Sequence, residues 1–173
     1  MFNETRPVLQ IPRTPVEYVL TIASFVLLLT MIVYISIQWS VLPDRIPTHF
    51  NFQGEADEWG GKGTVWTLPG IGSVLLIGLT ITERFPHAYN YLVPITEATA
   101  KAQYQNARLM MVVIKFEIIG LFAYFSWQSI QLAFGRNVGL GNWELPVVLI
   151  MIFGTCILFI VRSFRMNKRN QHE

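Results

Sequence analysis

Four long apolar runs restrict what this chain can fold into. A helix needs about 20 mostly apolar residues to cross a bilayer's hydrocarbon core. Four stretches meet that length, at about residues 17–39, 64–83, 107–134 and 144–164. Charged residues make up 14% of the 173 positions, against about 25% in soluble domains, and most fall between the runs. A net charge of +2 is too small and too scattered for a nucleic-acid partner. The reading is an all-α integral membrane protein with four transmembrane helices. It comprises an N-terminal arm (1–16), a membrane domain (17–164) that includes a polar loop (40–63), and a basic tail (165–173). Cys156, the single cysteine, lies inside the fourth run, so an intrachain disulfide is excluded and the thiol reads as packing.

Local signals sharpen the boundaries. Thr14-Pro15-Val16-Glu17 spells a capping box with proline at the first helical position. The first run is too long for a signal-peptide core and lacks a small-residue cleavage site, so an uncleaved anchor is expected. Pro69 falls early enough in the second run to be harmless, because first-turn N–H groups lack helical partners anyway. No breaker follows Pro94, so the third helix is expected to begin about three turns before its apolar run. Asn142 is a candidate N-cap for the fourth.

Charge asymmetry orients the chain. Arg6, Arg13, Arg84, Lys101, Arg108, Arg162, Arg165, Lys168 and Arg169 fall on one side, and only Arg45, Lys62 and Arg136 on the other. Basic residues are retained in the cytoplasm, so both termini are expected inside and loop 40–63 outside. Trp39, Trp59, Trp66, Trp127 and Trp143 cluster toward that outer half, where indole rings favour the headgroup zone. The Asn3-Glu4-Thr5 sequon is then cytoplasmic and no glycosylation acceptor.

The loop carries LPDRIPTHFNFQGEADEWGGK, residues 42–62. Pro43 and Pro47 oppose continuation of the first helix, and Asn51 with Gly54 signals a turn. Three readings compete. In the first the loop is a lid, with Asp57 capping a turn and His49 bonded to a backbone carbonyl. In the second it is a recognition surface, with Phe50, Phe52 and Trp59 as apolar anchors and its carboxylates selecting a cationic partner. In the third His49 joins Glu55, Asp57 or Glu58 in a metal or hydrolytic site. That set falls short of a usual zinc site, and neither a His-Glu-x-x-His helix nor a nucleophile with a paired base is present. No cofactor is implied.

Leu42, Pro43, Ile46, Pro47, His49, Phe50, Asn51, Gly54, Asp57 and Lys62 follow, in order, the loop pattern of a bacterial membrane-protein family of unknown function. This module also forms the N-terminal part of SdpI-type immunity proteins, which the loop resembles. The resemblance covers the loop and its flanking spans. It implies a bacterial cell-membrane protein that senses or resists an extracellular toxin peptide or envelope-active compound, with a possible cytoplasmic regulator. His49, Asn51, Gly54 and Asp57 would shape the loop, and Glu55, Glu58 and Trp59 would meet the ligand. Two other classes stay open. One is a metal-dependent membrane enzyme or metal-binding protein using His49 and Asp57, and the other is a small scaffolding subunit of a transporter.

Lys115 and Glu117 interrupt the third run. A charge at membrane depth costs about 2.5–3.5 kcal/mol on insertion scales and marks a functional candidate. Spaced by two, the pair cannot face each other on one helix. Lys115 is expected to snorkel toward cytoplasmic headgroups. Glu117 is expected to face the bundle as polar glue, with Thr30, Ser73 or Thr80 as partner, and no second carboxylate is expected at its depth. The basic tail is expected on anionic lipid, at about 1 kcal/mol per basic residue.

Overall fold

The computed structural model of the chain describes residues 6–139 and 141–169. Asn3 and the last four residues of the tail lie outside them. The elements in order are α1 (Pro15–Gln38), β1 (Arg45–Phe50), β2 (Ala56–Gly61), a 3₁₀ turn (Lys62–Trp66), α2 (Thr67–Thr82), α3 (Glu97–Ala133) and α4 (Glu144–Arg169). The four helical segments are each long and apolar enough to cross a membrane. The fold is mostly helical and not all-α, because the polar insert pairs into an antiparallel two-stranded hairpin.

Helix starts follow their local chemistry. Glu17 N–H donates to Thr14 Oγ1 and Thr14 N–H donates to Glu17 Oε2, closing the capping box at α1. The same device recurs at α3, where Thr96 and Thr99 exchange side-chain and backbone bonds. α3 thus begins soon after Pro94 and runs 37 residues. Asn142 sits within a 3₁₀ turn, Gly141–Trp143, ahead of α4. α4 extends to Arg169, so Arg165 and Lys168 ride on helix and not on a loose tail.

α3 is the central helix and packs against the other three. The core joins Leu28, Met31 and Ile35 of α1 to Leu76 of α2 and to Ile119 and Ile130 of α3. Leu42, Ile46 and Val65 extend it from the insert, so the hairpin is seated on the bundle by buried side chains. Large apolar residues also line the outside, among them Ile22, Val26 and Leu29 of α1 and Ile150, Phe153 and Ile157 of α4.

The interior is more polar than expected. Lys115 does not snorkel: its side chain is fully buried, with Nζ 2.5 Å from Glu83 Oε1 and within reach of Thr21 and Thr80 hydroxyls. Glu83, at the end of α2, is a second interior carboxylate that the sequence reading overlooked. Glu117 does tie helices together, but its partner is Thr155 Oγ1 of α4 at 2.5 Å and none of the three expected hydroxyls. Asn106 and Gln103 add bonds from α3 to the backbone of α4 at Phe159 and Ser163.

Candidate functional site

The hairpin is built from its turn outward. Asn51 Oδ1 accepts from the N–H groups of Gln53 and Glu55, both at 2.9 Å, and Gly54 N–H donates to Asn51 O at 2.9 Å. Gly54 takes φ +76°, the left-handed region that disfavours a side chain. Its Cα hydrogens also face the α3–α4 connection, where an added Cβ would lie 3.0 Å from Gly141 Cα. Glycine is therefore required twice here, by conformation and by space. Lys62 N–H donates to Asp44 O at 2.9 Å and closes the hairpin base, while the Lys62 ammonium stands 5.1 Å from the Trp39 ring centroid.

The strands pair from Arg45 opposite Gly61 to Phe50 opposite Ala56, with register shifts on either side of His49. Those shifts place His49 Nδ1 2.7 Å from Asp57 Oδ1. Asp57 therefore does not cap the turn, and this nitrogen of His49 bonds no backbone carbonyl; Asn51 does the capping. Both side chains stay open, with 60% and 44% of their surfaces exposed. The hydrogen bond and the charge of Asp57 hold the His49 pKa above its ordinary 6.5, with a further push from Glu58. Glu55, Glu58 and Trp59 are exposed along the hairpin, and Phe52 projects from its turn.

Beneath the hairpin lie two grooves that share the β1 strand as a wall. The larger, about 530 Å³, runs between β1 and the α2–α3 side, lined by Pro47, Phe50, Val65, Leu68, Phe125 and Ser129 among others. The smaller, about 350 Å³, opens toward α4, with Phe50, Phe52, Phe125, Leu145 and Val148 on its walls. His49 borders both and Asp57 the smaller. Each groove is mostly apolar and of a size that takes a small ligand or a peptide side chain.

Several of these residues escaped the sequence reading. Glu144 is buried at the start of α4, accepts from Tyr124 Oη at 2.8 Å and Gln128 Nε2 at 3.3 Å, and borders the smaller groove. Ser126 and Ser129, three apart in an aromatic stretch of α3, both face the larger groove. Their i, i+3 spacing was the available signal. Lys115 and Glu117 are not part of this site.

His49 and Asp57 are two donors of the right type for a metal, but no group of three or more His, Cys, Asp or Glu side chains comes together among the described residues. Two protein ligands are fewer than the three that a catalytic zinc takes.

Residues 26–72 match a family model described as a domain of unknown function, DUF1648. The match runs from the middle of α1 through the hairpin into the first turns of α2. No curated protein and no solved structure matches the chain.

Proposed function

We propose that the chain is a multi-pass protein of a bacterial cell membrane, with both termini cytoplasmic and the hairpin outside. There the hairpin and its grooves recognise an amphipathic, cationic extracellular ligand, and they sense or resist a toxin peptide or envelope-active compound. The apolar outer faces of α1 and α4 support the membrane placement, since a helix apolar all round needs lipid or protein about it. The observation that carries the recognition reading is the 530 Å³ apolar groove with His49 at its edge and Asp57 bonded beside it. An apolar ligand segment gains by entering the groove. A ligand cation gains from Asp57, Glu58 and Glu55, whose carboxylates line the exposed hairpin. The resemblance of the loop to SdpI-type immunity proteins points to the same class of ligand.

The test is survival of cells expressing the wild type, His49→Ala or Asp57→Ala under secreted cationic toxin peptides and envelope-active compounds. Protection by the wild type and its loss in both variants, at equal protein levels, is the expected result. Equal survival of all three strains removes the proposal.

A further inference from the structure

At the other end of the bundle from the hairpin, the N-terminal arm is strapped over the helices and borders a third, differently charged cavity. Arg108 of α3 does the strapping: it donates to Ile11 O and Pro12 O, each at 2.8 Å, and bridges to Glu17 Oε1 at 2.6 Å. Tyr104 Oη donates to Pro7 O at 3.1 Å and holds the arm further out. The space between arm and bundle is about 550 Å³, and its charged lining is Arg13, Arg84, Arg108, His87 and Glu83.

The charges here do not balance. Glu83 has one oxygen on Lys115 and the other 2.8 Å from Arg13, so a single carboxylate serves two cations. Glu17 serves Arg108. Arg84, the next residue after Glu83, is exposed at the cavity, and its guanidinium has no partner among the described residues. Four cations thus share two carboxylates. The excess is positive, and its unmatched member, Arg84, stands exposed where an anion can reach it. Glu83 Oε2 lies 2.8 Å from Arg13 but accepts no hydrogen bond, so its charge is offset there by Arg13 without a directed bond.

We propose that this cavity binds a phosphoryl anion, with Arg84 and Arg13 as its guanidinium ligands and His87 alongside. Guanidinium forks match phosphate oxygens in a bidentate geometry. Leu9 and Phe85, both exposed beside the cavity, supply an apolar flank of the kind a phospholipid's glycerol and acyl carbons would meet. The same chemistry could come from a lipid headgroup or from free phosphate. The site is independent of the hairpin reading, and of the basic end of α4.

The experiment uses the full chain in neutral detergent, with native mass spectrometry of retained phosphatidylglycerol and, separately, thermal unfolding with inorganic phosphate. Arg84→Gln leaves every ion pair intact, and Arg165→Gln on α4 is the control for general electrostatic attraction. The expected result is that Arg84→Gln lowers phosphatidylglycerol retention by clearly more than the roughly fivefold that any single interfacial basic residue commands, and by more than Arg165→Gln does. If inorganic phosphate also raises the unfolding temperature of the wild type and not of Arg84→Gln, the site takes free phosphate. If it does not, while retention still depends on Arg84, the anion is the headgroup. Overturning the proposal takes Arg84→Gln matching the wild type in both arms, or matching Arg165→Gln in lipid loss with no difference in phosphate response.

Discussion

Across the two strands of the hairpin, His49 Nδ1 stands 2.7 Å from Asp57 Oδ1, with both side chains open to solvent. The bond depends on the register shifts around His49, so it reports directly on whether the strands are paired as described. The folded His49 pKa lies above the 6.5 of an unfolded chain. Its contribution to hairpin stability is therefore complete below about 6.5 and is lost as pH rises through the raised value. A histidine-selective NMR titration should find the His49 midpoint above 6.5, and Asp57→Asn should bring it down. An unmoved midpoint in Asp57→Asn would mean that the pair does not form in solution.

Gly54→Ala should be the most damaging single change in the turn. A left-handed conformation costs an L-residue about 1–2 kcal/mol, and the new methyl carbon would sit 3.0 Å from Gly141 Cα and 3.1 Å from Gly141 O. The tip of the hairpin then cannot rest on the α3–α4 connection. Thermal unfolding in detergent should drop, and protease cleavage within residues 45–61 should quicken while the helices stay protected. Wild-type cleavage rates in this variant would show that the tip does not dock.

Lys115 and Glu83 form a fully buried pair joining α3 to α2. Removing Glu83 strands Lys115 with only the Thr21 and Thr80 hydroxyls, at a cost of about 3–5 kcal/mol, whereas removing Lys115 leaves Glu83 beside Arg13. Glu83→Gln alone is expected to destabilise by that order. Combining it with Lys115→Met should recover much of the loss, since the stranded buried cation leaves too. Additive single and double effects in denaturant titrations would argue that the two side chains do not meet.

What could be read from the residues alone was local. The Thr14–Glu17 capping box, the Asn51–Gly54 turn and the four apolar helices each depend on a few neighbouring side chains, and each is present. The strands were hidden because Ala56–Gly61, with Asp57, Glu58 and two glycines, carries little strand propensity. Burial of Ile46 against the bundle and pairing with β1 form that strand. Pairings across helices were equally hidden. Glu83 lies 32 residues before Lys115, and Glu17 lies 91 before Arg108. Reach along a single helix, the basis for expecting Lys115 to snorkel, contains no information about which neighbour packs against it. Glu17 shows how one signal can mask another, because its two oxygens serve both the cap and Arg108.

The proposed orientation, with the hairpin facing away from the cytoplasm, is open to direct labelling. Replacing His49 by cysteine in a Cys156→Ser background leaves one thiol, at an exposed position of β1. A membrane-impermeant maleimide added to intact cells should label this protein fully, with no gain on permeabilisation. Labelling only after the cells are opened would place the hairpin and its grooves inside and contradict the account.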